Sequence, residues 1–114
     1  MRMFIVALLT VLALAPGHVA DAAEALSVSR YCELTVARLQ LALDSWQRDG
    51  RSPAEAELSV LWQQYGVAGD EYYRFATDNR TQLEDYLASR PDVAQEIERL
   101  SASLRAAIQQ RDPQ

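Results

Sequence analysis

The chain contains no lysine: all 11 of its basic residues are arginine. It has one histidine, His18, two methionines, Met1 and Met3, and one cysteine, Cys32. His18 and both methionines fall in an N-terminal stretch that reads as a removable leader, so the chain beyond it has no His, Met or Lys. Each absence excludes a chemistry. Without histidine the commonest metal ligand and proton shuttle is gone. The Met/His and multi-cysteine routes to haem, copper and zinc are closed. Without lysine there is no amine nucleophile and no Schiff base. A single cysteine forms no internal disulfide, so the fold is not a stapled mini-domain. No cofactor and no metal are expected.

The leader has the three parts of a secretory signal. Met1-Arg2 is a short positive start. Met3 to Ala15 is an apolar run of 13 residues broken only by Thr10, too short to span a bilayer comfortably. Pro16-Gly17 ends it, and Ala20-Asp21-Ala22 places small residues at the positions that cleavage after Ala22 requires. Residues 1–22 are therefore expected to be a signal peptide and residues 23–114 a single helical domain. Its location would be periplasmic or secreted, with the membrane met only in transit. Cys32 is too far along to carry a lipid anchor. The formal charge of −5 is the same with or without the leader, because Arg2 and Asp21 leave together. An acidic balance with arginines spread from Arg30 to Arg111 disfavours a nucleic-acid groove, which needs clustered positive charge.

Ala and Leu dominate residues 23–114, whereas Val, Ile and Thr are few, which favours helix over strand. The expected fold class is all-α, a small antiparallel bundle of about four helices, one of them short. The first helix runs from about Ser27 to Asp49, with Cys32, Val36, Leu39, Leu43 and Trp46 stepping 4, 3, 4 and 3 along one stripe. Tyr31, Leu34, Leu41 and Ala42 widen that stripe, and Asp44 and Arg48 form an i,i+4 pair on the wet side. For the second helix Ser52 is the expected cap, with Pro53 at N1 and Glu55 completing a capping box. Gly66 supplies the left-handed residue that ends it. Asp70 is the expected cap of the third. Tyr72, Ala76, Asn79, Leu83 and Tyr86 keep one phase across the polar stretch Thr77 to Gln82, so this helix is expected to be continuous. The fourth starts at Pro91, with Asp92 near its positive end.

Cys32, on the inner stripe of the first helix, reads as a small buried hydrophobe or as the site of an intermolecular disulfide. A catalytic thiol would need an activating base, and only Arg30 is near in sequence. Tyr72 and Tyr73 diverge by about 100° on a helix, so one of them faces outward with Arg74 close behind, a candidate recognition patch. Asn79 on an apolar stripe is either a buried register-fixing residue or a helix break. Asn79-Arg80-Thr81 also matches the glycosylation sequon, which a helical setting disfavours. Of the carboxylate pairs only Asp92 and Glu96 have helix-face spacing, and all read as solvated faces. Gly66 to Glu71 is too short and too poor in carboxylates for a calcium loop.

The expected function is that of a small exported non-enzymatic protein acting on a protein partner or on a second copy of itself. The candidate interaction residues are Tyr72, Tyr73, Arg74 and Asn79. The alternative is a small helical enzyme or carrier that holds an anionic ligand through arginines from different helices, such as Arg38 and Arg80, where positioning replaces proton transfer.

Overall fold

A computed structural model describes residues 26–111, and these are all helix and connection, with no strand among them. The expected leader lies outside the described residues, as do both ends of the expected domain. The helices are α1 Val28–Asp49, α2 Glu55–Tyr65, α3 Gly69–Asp78, α4 Arg80–Ser89 and α5 Pro91–Arg111. The all-α expectation holds. The expectation of a continuous third helix does not, because that segment is two helices, α3 and α4.

The break is Asn79, at φ −128° and ψ 35°. Its side-chain amide donates to the Phe75 carbonyl at 3.0 Å, the same acceptor its backbone N–H reaches at 2.9 Å. Such local bonding is why asparagine is a poor interior helix residue. A single non-helical residue leaves the phase of the apolar stripe nearly intact, so periodicity alone did not reveal it. Asn79 is half-buried, neither a core register residue nor a fully solvated one.

Two of the expected helix starts also shift. At α2 the residue before the first turn is Ala54, whose N–H donates to the Glu57 carboxylate at 2.9 Å. Ser52 and Pro53 lie in the connection instead. At α3 that place belongs to Ala68, with the Glu71 carboxylate 3.5 Å from its N–H, and Asp70 sits inside the first turn rather than capping it. The reason is shared: a glutamate three residues on can satisfy the cap N–H whatever side chain stands at the cap. Other ends are as expected. Ser27 Oγ accepts the Arg30 N–H at 3.1 Å, Pro91 opens α5, and Gly50 and Gly66 close α1 and α2 at φ 72° and 66°. The expected Asp44–Arg48 pair is not formed. Gln40 donates to Asp44, while Arg48 turns to Asp49 at 2.9 Å and Glu57 at 3.4 Å.

The central element is α1, which is covered on two faces. One is the expected stripe: Leu39 and Leu43 pack with Leu100 and Ala107 of α5, flanked by Val36, Trp46, Ile97 and Leu104. The second runs Tyr31, Leu34, Arg38, Leu41, Ser45, again in steps of 3 and 4. Here Leu34 packs with Leu61, Val67 and Tyr72, edged by Tyr31, Leu41, Trp62 and Tyr65. What sequence spacing made a widening of one stripe is thus a separate core against α2 and α3.

Helix directions can be read from side-chain neighbours. Arg48 meets Glu57 at one end of α1, and Arg30 Nη2 donates to the Tyr65 carbonyl at 2.8 Å at the other, so α2 runs back along α1. By contrast α5 runs with it. Cys32 and Val36 share a cleft with Val93 and Glu96, and Ala42 and Trp46 share another with Leu104 and Ile108. The two longest helices are therefore parallel neighbours, which an antiparallel bundle of four helices in sequence would not make them. The chain returns through α4, whose Tyr86 lines the same cleft as Cys32 and Val93, to start α5 beside the start of α1.

Candidate functional site

Among the described residues, a cleft opens at each end of the α1–α5 seam. The first has a volume of about 420 Å³ and is lined by Ser29, Cys32, Glu33 and Val36 of α1, Tyr86 of α4, Arg90, and Asp92, Val93 and Glu96 of α5. It looks charged, but its charges are largely matched within the chain. Arg90 reaches both Asp92 carboxylate oxygens, at 3.0 and 2.9 Å, and its guanidinium lies 5.9 Å from the Tyr86 ring centroid. That pairing holds the Asp92 carboxyl down to about 2. Glu96 is taken by Arg99 at 2.6 and 3.1 Å, which lowers its pKa as well. The two carboxylates with helix-face spacing are thus each spent on a separate arginine.

Cys32 forms part of this wall but is only 2% exposed. Burial pushes its thiol above the ordinary range, which disfavours the thiolate that either nucleophilic attack or disulfide exchange needs. A bridge to a second chain would require the α1 packing to open first.

The second cleft, of about 260 Å³, lies toward the C-terminal ends of the long helices. Arg38, Ala42 and Trp46 of α1 form one side and Leu104 and Ile108 of α5 another; Ser52, Pro53, Leu58 of α2 and Tyr73 of α3 complete it. The connection that carries Ser52 and Pro53 is tied down by the buried Ser45, whose hydroxyl donates to the Arg51 carbonyl at 2.6 Å. Tyr73 is held upright by aromatic edges: the Trp62 ring lies 5.8 Å away at 80°, and the Tyr72 ring 5.1 Å away at 74°. Trp62 is in turn fixed over the start of α3, where Gly69 leaves it room. A Cβ on Gly69 would stand 2.9 Å from the indole Nε1.

The candidate interaction residues do not form one patch. Tyr72 is 2% exposed and belongs to the core, whereas Tyr73 is 57% exposed. The divergence expected of adjacent residues is real, and Tyr73 is the outward one. Arg74 is exposed and 3.7 Å from Asp70, and Asn79 is engaged with Phe75. Nor do Arg38 and Arg80 share a site: Arg38 is half-buried in the second cleft, while Arg80 is exposed at the start of α4.

Sequence reasoning named Arg38 as an anion-holding arginine, in company with Arg80, but gave Trp46 only to the core stripe and Pro53 only to a helix start. Arg38 carried a signal, since a cation inside the apolar steps Tyr31, Leu34 and Leu41 requires a reason. Its Nε donates to the Tyr72 hydroxyl at 3.1 Å, and the guanidinium lies 5.6 Å from the Tyr72 ring centroid. The hydroxyl is 2.8 Å from Thr35 Oγ1, which itself donates to the Tyr31 carbonyl at 2.9 Å. Arginine only donates and the threonine proton is already committed, so the tyrosine proton must point to Thr35. The result is a one-way chain: Arg38 to Tyr72 to Thr35 to the Tyr31 carbonyl. Burial and the neighbouring Tyr72 raise the Tyr31 phenol pKa, keeping that ring neutral where it stacks 4.9 Å from Tyr72.

Neither cleft places a nucleophile beside a base. Among the described residues no group of three His, Cys, Asp or Glu is arranged to hold a metal ion, and no helix is long and apolar enough to cross a membrane. The chain matches no protein-family model, no curated protein and no solved structure. A functional reading therefore has to come from the geometry of the clefts.

Proposed function

We propose that this is a small exported binding protein of the periplasm or the exterior, whose work is contact with another protein through the Trp46–Tyr73 cleft. The observation that carries this is the cleft's composition and setting. A tryptophan, an outward tyrosine and an arginine converge from α1 and α3 on a concave surface whose lining is about half apolar and half polar. These are the residue types that dominate binding energy at protein interfaces, and they do so when gathered in a pocket. The walls come from four helices, so the surface is held in shape before any partner arrives, which lowers the ordering cost of association. The export half of the proposal rests on the leader pattern in residues 1–22.

The test is to place a photo-reactive phenylalanine analogue at Tyr73 in the expressed chain, with a control at Gln82, which is exposed on α4. The expected result is a discrete protein adduct from position 73 and none from position 82, on a chain recovered outside the cytoplasm with its mass beginning at residue 23. A strictly monomeric chain, with and without reductant, that gives no adduct from position 73 overturns the proposal.

A further inference from the structure

Of the described arginine side chains, Arg38 alone is not exposed. Arg48, Arg74, Arg90, Arg99 and Arg105 all have carboxylate partners. Arg38 has none among the described residues. Its contacts are the Tyr72 hydroxyl, through Nε, and the Tyr72 ring. Both terminal nitrogens are left without an acceptor among the described residues. A half-desolvated guanidinium is costly without an anion, and its fork geometry suits a carboxylate taken by two parallel bonds. The core contact fixes the orientation from behind, since the Nε is held by Tyr72 and the tyrosine proton is committed to Thr35.

Beside Arg38 stand the apolar side chains of Trp46, Leu58, Leu104 and Ile108, together with Tyr73, in a cleft whose lining is about half polar. At about 260 Å³ it takes one side chain of leucine or phenylalanine size, not a helix face. The occupant must therefore carry a carboxylate and an apolar group a few ångströms apart. The last residue of a peptide chain does this through a single Cα. An internal Asp or Glu next to an apolar residue would have to bring its backbone into the cleft too.

We propose that the Trp46–Tyr73 cleft is a subsite for the C-terminal end of a peptide chain that finishes in an apolar residue, with Arg38 taking the terminal carboxylate. This deepens the partner-binding reading and rests on it. The apolar side chain sits between Trp46 and Ile108, and the preceding residues leave the cleft past Tyr73.

The test monitors the indole N–H resonance of Trp46 in the whole chain on titration with N-acetyl-Gly-Gly-Leu and with its C-terminal amide. The expected outcome is at least a tenfold weaker response to the amide, and loss of the acid's advantage in Arg38→Gln, with the amide response unchanged. Rising salt should weaken the acid alone, because only it carries the charge. The comparison of acid with amide on the unaltered chain holds even if the variant folds poorly. Equal response to acid and amide overturns the carboxylate subsite, while an adduct from position 73 would still uphold the wider binding function. No Trp46 shift with the acid also overturns it, as does an acid preference that survives Arg38→Gln. Trp46 shifts that track protein concentration without peptide would give the cleft to a second copy and likewise overturn the assignment.

Discussion

On one face of α1 the packing is aliphatic: Leu39 and Leu43 against Leu100 and Ala107, with no polar atom required between them. On the other, Leu34 shares its core with the Tyr72 ring, and the Tyr72 hydroxyl is buried with its bonds to Thr35 and Arg38. The aliphatic seam is held by area and shape, which are non-directional and tolerate exchange of side chains at constant volume. The aromatic side is held by area together with a hydrogen-bond chain that has one allowed direction. The first can slide a little without penalty, whereas the second fixes a register between α1 and α3. The second cleft draws on both: Trp46 and Leu104 come from the seam, and Arg38 and Tyr73 from the aromatic side. A rigid binding surface needs that combination.

The comparison breaks most visibly at Leu100, which is fully buried. Leu100→Ala should cost about 2–5 kcal/mol in chemical denaturation, whereas Leu100→Met should cost less than about 1.5 kcal/mol. If the conservative exchange is as damaging as the truncation, the seam is not the shape-tolerant side. On the aromatic side the order of effects should differ. Tyr72→Phe keeps nearly all the buried area but leaves Arg38 Nε without its acceptor and Thr35 Oγ1 without its incoming donor, at a cost of about 1–2 kcal/mol. The same exchange should broaden the Trp46 resonance, because the orientation of Arg38 is released. A Tyr72→Phe chain as stable as the original would make the hydroxyl chain incidental.

The smallest effect concerns pH, at the start of α5. The Asp92 carboxyl lies at about 2, below the ordinary value of about 3.9 that it regains on unfolding. A depressed acid contributes fully above its unfolded pKa, and the contribution drains away as pH falls toward the folded value. Between about pH 4 and pH 2 the chain should lose a small increment of stability that Asp92→Asn no longer shows, measured as melting temperature against pH. The pair is fully exposed, so the increment is slight.

Sequence reasoning reached the helical class and the ends marked by Gly50, Gly66 and Pro91, because each of those has a local cause. It also reached the core stripe from Cys32 to Trp46. It did not reach the second face of α1, since Tyr31, Leu34 and Leu41 are apolar neighbours of the first stripe and a helix covered on two sides looks like one broad face. Nor did it reach the start of α2, where the familiar Ser-Pro-x-Glu order was outweighed by Glu57 satisfying Ala54. The cleft itself depends on which helices become neighbours. That was decided by the break at Asn79, whose side chain bonds to the Phe75 carbonyl, and by the parallel course of α1 and α5. Two of its members were visible in advance, Tyr73 as a candidate interaction residue and Arg38 as one of the arginines for an anion.

That parallel course has a practical consequence for anyone handling the protein. Both long helices point the same way, so the chain enters α1 at one pole and leaves α5 at the other. From Val28 to Trp46 is about 27 Å at the helical rise. A fluorescent domain, affinity handle or solid support joined ahead of residue 26 would hang from the pole that bears Cys32 and leave the Trp46–Tyr73 cleft facing away from it. The same attachment after residue 111 would emerge beside Ile108 and shade the cleft. Immobilisation from the N-terminal side should preserve capture of a partner, and immobilisation from the C-terminal side should blunt it.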